Sequence, residues 1–444
     1  MRIKKLPIDT GPAAWTDLLQ PKRMAPALET DMTADWVIVG AGFAGLTAAH
    51  RLSELAPEAR VIVLEATGIG QGPAGRNSGF MIDLPHDLAS EDYGGSVVRD
   101  QLQTKDNRMA ISYAKEMVAR FSLDREAFDP CGKTNAAATE KGHAHNVSYA
   151  AHLDAMGEPY QMLDAADMRD LTGGGYYIGG LYTPGTVILQ PGTYIRGIAA
   201  GMMSNRVQVF ENSPVVALEK EGGAWVVTTP QGKVRAGGVI LAVNGHLESF
   251  GYKRGRLMHV FTYASMTREL TPEEVERIGG QPSWGVTPAD PLGTTVRKIA
   301  GTGGHRIVIR NRFTFDQSLE VNEARLADVA RDHRKSFDAR FPMISGTEME
   351  YVWGGRLCLS YNDVQVVQKL DDGLFSACVQ NGLGTVKGTL AGKLAADMAL
   401  GEKSDALTRA MSAPEPSRLP PKPIAALGAK IRLRWGEYKA GAEF

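Results

Sequence analysis

Three cysteines in 444 residues (Cys131, Cys358 and Cys378) are too few and too scattered for a disulfide framework, and without a CxxC they offer no zinc-site spacing. That scarcity fits a reducing compartment, and a cytoplasmic location is expected. Charge of one sign is also missing. The 49 Lys and Arg against 50 Asp and Glu leave a net charge of −1, so no overall basic field invites nucleic acid or an anionic membrane, and neither is expected as a partner. No window approaches the ~18 uninterrupted apolar residues of a spanning helix. The start, "MRIKKLPIDTGPAAW", has lysines but no apolar core behind them, so a signal peptide is not expected. What is abundant is glycine. Its 50 residues follow no collagen period and form no low-complexity tract, so they belong in tight turns and close backbone approaches. The length suffices for two or three compact units.

One group of glycines has an ordered context. "DWVIVGAGFAGLTAAHRLSEL" (35–55) begins with an apolar, β-branched run, the pattern of a strand buried on both faces of a parallel sheet. Gly40, Gly42 and Gly45 follow in GxGxxG spacing, and a helical pattern comes next. Gly40 permits the turn, Gly42 lets the backbone approach a pyrophosphate, and Gly45 lets helix and strand pack closely. A second strand, "RVIVLEA" (60–66), puts Glu65 twenty residues after Gly45, placed to accept hydrogen bonds from a ribose. Strand, glycines, helix, strand and acid in this order predict a dinucleotide-binding fold. They do not choose between NAD and FAD.

The next stretch bears on that choice. "GQGPAGRNSGFM" (70–81) is nearly bare of core-forming side chains but keeps Arg76, Asn77 and Ser78 together. Small residues expose backbone N–H groups that can wrap a pyrophosphate from its other side, with Arg76 expected to add charge. At this point the sequence resembles the D-amino-acid-oxidase-like (glycine/sarcosine oxidase) flavoproteins, most of all the gamma-glutamylputrescine oxidase branch. That branch has an N-terminal extension, as residues 1–32 do here, and a G-A-S-G-R-N-G-G-type segment, which "GPAGRNSGF" resembles. Residues 184–202, 207–246 and 373–401 resemble later segments of the same family, so the likeness spans roughly 33–402. There are departures: Leu383 stands where the family often has His or Arg, and "DVQVVQKL" (363–370) replaces a P-x-x-G.

The resemblance implies noncovalent FAD on an α/β Rossmann-like domain of glutathione-reductase type, plus an α+β substrate domain with a mainly antiparallel sheet. The FAD domain is expected at 33–98, 187–255 and 352–402, the substrate domain at 99–186 and 256–351. Residues 403–444, Pro-rich and then basic, are expected as a surface linker with a short helix. Cofactor contacts are expected from Gly40, Gly42, Phe43, Ala44 and Gly45, from Glu65 and Ala66, and from Gly75, Arg76, Asn77, Ser78 and Gly79. Further along the chain they are expected from Val215 and Val216, whose backbone would meet the adenine, and from Ala242, Asn244 and Gly245. The closing turn and helix would add Asn381, Gly382, Leu383, Gly384, Thr385 and Lys387, with the helix N-terminus facing flavin N1 and the C2 carbonyl. Cys358 lies near the region where some sarcosine oxidases attach flavin, but the surrounding pattern differs and a buried thiol is expected.

For the substrate, the resemblance points to Arg297, Arg310 and Arg312 as anchors for a carboxylate. In a regular strand Arg310 and Arg312 would share a face, with Asn311 opposite. His259 and Tyr263, four apart on a strand expected to cross the ring, would face the pocket as proton acceptor and hydrogen-bond donor. The implied reaction is oxidation of a secondary amine or N-substituted amino acid by hydride transfer to flavin N5. Water then releases an aldehyde or oxo acid and an amine, and oxygen or another acceptor takes the electrons. A hydroxy-acid dehydrogenase of the same fold and a partner-dependent or noncatalytic flavoprotein are the alternatives.

Overall fold

The apolar run at 36–39 becomes the centre of a sheet. In the computed structural model, which describes residues 1–85, 90 and 93–444, the first strand (Met32–Val39) lies parallel to Val61–Leu64 on one side and to Lys233–Leu241 on the other. Val37 and Ile38 are fully buried, as a run without alternation requires. Val207–Phe210 continues the parallel array beyond Val61–Leu64, and Leu374–Cys378 continues it beyond Lys233–Leu241. Val366–Asp371 adds an antiparallel edge, and the hairpin Ala217–Glu221/Ala224–Thr228 branches from Lys233–Leu241. Two helices, Phe43–Leu55 and Gly384–Leu400, pack against each other beside this sheet. Their approach depends on glycine: a Cβ at Gly392 would lie 2.1 Å from the Ala44 carbonyl oxygen.

A second eight-stranded sheet runs Met349–Ser360, Leu257–Thr267, Gly304–Phe315, Thr295–Gly301, Trp284–Pro288, Lys133–Ala137, Gly179–Thr183 and Gln161–Leu163. Within this sheet, among the described strands, only the pairing of Trp284–Pro288 with Lys133–Ala137 is parallel. The two sheets are the expected α/β nucleotide fold and mainly antiparallel α+β unit. Residues 352–360, placed by sequence with the first sheet, run in the second, paired along Leu257–Thr267. Gly354 and Gly355 interrupt the alternation that would have marked them as one strand. Of the range 33–98, residues 86–89 and 91–92 lie outside the described residues.

Both termini do more than cover the surface. Met1 and Leu218 exchange backbone hydrogen bonds, the Ile3 N–H donates to the Val216 carbonyl, and an Arg2–Ala217 bridge continues the pairing, so the N-terminal segment adds itself to the hairpin edge. At the other end, a 19-residue helix (Lys422–Ala440), rather than a short one, packs on Gly304–Phe315. The last residues insert into the second unit: Glu443 accepts from the Ala138 and Thr139 N–H groups at 2.8 and 3.0 Å, and Arg340 donates to its carbonyl at 3.0 Å.

Candidate active site

A long cavity runs from the glycine turn of the first sheet to the face of the second. Gly40, Gly42, Phe43 and Ala44 line its floor. Gly40 has φ +103°, which a side chain would oppose. A Cβ at Gly45 would lie 1.8 Å from the Gly40 carbonyl oxygen, so Gly45 stays beneath the turn and lets the helix begin there. The Glu65 carboxylate accepts from the Ala41 N–H at 2.9 Å and from the Thr67 N–H at 3.1 Å. Burial pushes this carboxyl up from its ordinary range, and it sits beside Ala66 on the cavity wall, where a ribose hydroxyl would find an acceptor.

The bare segment does approach the cavity, through Ala74, Arg76, Asn77 and Ser78. Gly75 and Gly79 serve its shape instead. A Cβ on Gly75 would lie 1.8 Å from the Gly70 oxygen, and Gly79 has φ +81°. Asn77 braces the loop, accepting from the Gly79 N–H at 2.7 Å and donating to the Ala74 carbonyl at 2.6 Å. Arg76 differs from expectation. Its guanidinium donates to the carbonyls of Gln71, Thr10, Gly11 and Gly354. All three of its nitrogens are engaged with backbone oxygens, so it ties three chain segments together rather than offering a free charge to a pyrophosphate.

Those segments include one that sequence reasoning left out of the site. Ile3, Lys5, Leu6, Pro7 and Asp9 of the N-terminal extension form part of the cavity wall. Asp9 pairs with Arg356 at 2.9 Å, both side chains only 7% exposed, and Arg356 also donates to His246 Nε2 at 2.6 Å. Asp9, His246 and Arg356 all line the cavity, and nothing in their spacing across nearly 350 residues announced this. Burial, reinforced by the Arg356 charge, pushes His246 down to about 3; burial does the same for His333, bonded to Ser265. Both are therefore held neutral in the folded chain, whereas an unfolded histidine binds a proton near pH 6.5. Folding stability should be complete above pH ~6.5 and fall on acidification by up to about 1.4 kcal/mol per pH unit for each histidine. Calorimetry between pH 7 and 5, above the carboxylate range, checks this; an unchanged Tm would contradict it.

The adenine-side hairpin and the closing turn are partly as expected. Val215 lines the cavity, but Val216 does not: its N–H donates to Thr228 and its carbonyl accepts from Ile3, because the N-terminal segment occupies that edge. Ala242, Asn244 and Gly245 line the cavity, as do Asn381, Gly382, Leu383, Gly384 and Thr385. Leu383 takes the N-cap position of Gly384–Leu400 without a side-chain cap, so the first-turn amides of that helix face the cavity. Lys387 points elsewhere, 3.5 Å from Asp363, and leaves the backbone as the source of positive potential. Cys358 also borders the cavity, its thiol pushed well above the ordinary range by burial.

The second sheet closes the far end with Thr262, Thr287, Thr295 and Arg310. Three of the five predicted substrate residues are not in this wall. Arg312 has φ +62° and no cross-strand partner, because Thr262 pairs with Phe313 and Tyr263 with Asn311. This bulge turns Arg312 to Asp332 and to Glu437, the latter at 2.7 Å. Arg297 lies behind the bare segment, donating to the Ser78 and Leu189 carbonyls, with Trp15 against its guanidinium. His259 is bonded to Glu248 at 2.8 Å, outside the cavity. Tyr263 borders the cavity, but its ring joins Phe261, Leu326 and Val329, and its hydroxyl shares a 2.6 Å hydrogen bond with Thr314. The face of Leu257–Thr267 expected to look at the ligand is thus the one that packs away, and Thr262 and Ala264 look inward.

Arg310 remains. Its guanidinium stacks 4.9 Å from the Phe313 ring and has no hydrogen bond or ion pair among the described residues. Burial lowers it to about 10, still cationic at neutral pH. Three more lining residues carry a buried polar atom without a partner among the described residues: Asp9 Oδ1, Thr262 Oγ1 and Asn381 Nδ2. An elongated polar ligand fits these unspent groups.

Comparison with known proteins agrees with this geometry. The family model described as "FAD dependent oxidoreductase" (DAO) matches residues 35–398. "Probable oxidoreductase OrdL" of Haemophilus influenzae is 24% identical over 391 residues, 85% of each chain. The gamma-glutamylputrescine oxidoreductase of Escherichia coli is 25% identical over 411 residues, covering 90% of this chain and 92% of its own. Among solved structures, glycine oxidase from Geobacillus kaustophilus matches with a TM-score of 0.69 at 18% identity, over 88% of this chain and all of its own, a likeness of fold.

Proposed function

The chain belongs to the DAO family of FAD-dependent oxidoreductases, and from that premise we propose that it oxidises a carboxylate-bearing secondary amine or N-substituted amino acid. The product is an imine, which water hydrolyses to an aldehyde or oxo acid and a smaller amine, with oxygen as the final acceptor giving hydrogen peroxide. FAD is the cofactor. When bound, it supplies the acceptor, flavin N5, for the hydride leaving the carbon beside nitrogen. The glycine turn and the first-turn amides of Phe43–Leu55 would hold the pyrophosphate, Glu65 the ribose, and the first turn of Gly384–Leu400 the electron-rich edge of the ring. Nothing in this set calls for a covalent link, and the protonated Cys358 thiol is a poor nucleophile.

The observation that carries the reading is Arg310: a half-buried cation without a protein anion among the described residues, in the same cavity wall as the unpartnered Thr262 hydroxyl. Arg310 would bind the carboxylate and so set the amine-bearing carbon against the ring. Tyr263, pushed up to about 12 and bonded to Thr314, is a poor base. No other ordinary base lines this wall among the described residues, so the substrate amine enters neutral and positioning supplies the rate.

The test is anaerobic titration of the purified holoprotein with secondary amines, amino acids and hydroxy acids, followed by the flavin absorption. Bleaching by an N-substituted amino acid but not by its decarboxylated counterpart is expected, with peroxide formed on admitting air. Bleaching by hydroxy acids alone would replace the amine reading, and no bleaching by any of them would favour a partner-dependent flavoprotein.

A further inference from the structure

The C-terminal helix carries an apolar line that no described residue covers. Ile424, Leu427, Ile431, Trp435 and Tyr438 recur at spacings of three and four, which puts them along one side of Lys422–Ala440. Each is between 58% and 77% exposed. The opposite side, with Glu437 and Ala440 buried, is the one that packs on Gly304–Phe315. At 100° per residue, Arg432 and Lys439 flank the apolar line on one side and Lys430 and Arg434 on the other, all exposed. The helix's one acid, Glu437, is buried and paired with Arg312 and Arg434, so Lys430, Arg432 and Lys439 remain as cations without an acid partner among the described residues.

This line is held out on a fixed support. Beyond the helix, the Glu443 carbonyl accepts from the Thr294 N–H at 2.7 Å, and its carboxylate caps the turn at Ala138 and Thr139. Trp435 and Tyr438 stack with centroids 5.9 Å apart, an aromatic pair of the kind that settles at the level of lipid headgroups. No described helix is long and apolar enough to cross a bilayer.

We propose that this helix docks the protein on an anionic lipid bilayer, lying in the surface with its apolar line in the headgroup–acyl boundary and its flanking cations against lipid phosphates. The overall charge of −1 conceals the site because it averages over the whole chain. Charge also favours lipid over a second copy: an isologous pairing through this face would bring the same cations together.

Vesicle co-sedimentation of the full-length holoprotein tests it, using phosphatidylcholine alone and phosphatidylcholine mixed with phosphatidylglycerol. Binding is expected only to the mixed vesicles, with release at high salt, where the Debye length falls to about 3 Å at 1 M. Ile431→Asp and Trp435→Asp should each weaken binding at least about tenfold while leaving flavin absorbance and Tm unchanged. The triple change K430Q/R432Q/K439Q should remove the preference for phosphatidylglycerol. Failure to bind the mixed vesicles would overturn the proposal, as would binding that survives Ile431→Asp. So would a concentration-dependent dimer in sedimentation equilibrium that Ile431→Asp dissociates, which would assign the face to a protein partner.

Discussion

Replacing Arg310 with alanine is expected to lower kcat/KM for a carboxylated substrate by roughly 30- to 1000-fold, the loss of about 2–4 kcal/mol of charge-assisted hydrogen bonding. The effect should fall mainly on KM, because the carboxylate contact is made in ground and transition states alike. Arg310→Lys should recover part of it, since a point charge replaces a planar fork. Flavin content should not change, because Arg310 lies on the second sheet, across the cavity from the glycine turn. The clearest readout is discrimination: the wild type should prefer the carboxylated amine to its decarboxylated counterpart, and Arg310→Ala should not. A variant that keeps its discrimination would remove Arg310 from the site.

Asp9→Ala should produce the largest change outside the substrate wall. It strands Arg356 as a buried cation beside a neutral histidine, a cost of about 3–5 kcal/mol. Because Asp9, His246 and Arg356 all line the cavity, part of that cost should appear as weaker FAD retention. Gel filtration in flavin-free buffer should give a lower flavin-to-protein ratio for the variant, and calorimetry a lower Tm. Asp9→Asn, which keeps a hydrogen-bond acceptor, should lie between. An unchanged ratio together with an unchanged Tm would show that the N-terminal segment is only a cover.

Local patterns in the chain were enough to place the nucleotide fold. A buried β-branched run, three glycines, a helix and an acid interact over about thirty residues, and each acts through backbone geometry that neighbours dictate. The closing turn at 381–385 was legible for the same reason, and so was the bareness of residues 70–81. Side-chain direction in the second sheet was not. Arg310 and Arg312 read alike in sequence, and one bulge opposite Thr262 and Tyr263 separates them, sending one to the cavity and the other to Asp332 and Glu437. His259 was misplaced for a similar reason, and Tyr263 only borders the cavity: alternation shows that they share a face, but only the helix packed behind the sheet decides which face is inward. Arg76, Lys387 and Val216 have the right chemistry for a nucleotide, but distant segments claimed their polar groups first: the Thr10 and Gly11 carbonyls, Asp363, and Ile3. Period and composition are set by residues a few positions apart, so the sequence alone determined the dinucleotide-binding elements, and its family resemblance pointed to FAD. Which polar groups remain free for a ligand depends on contacts across hundreds of residues, and that only the tertiary structure decided.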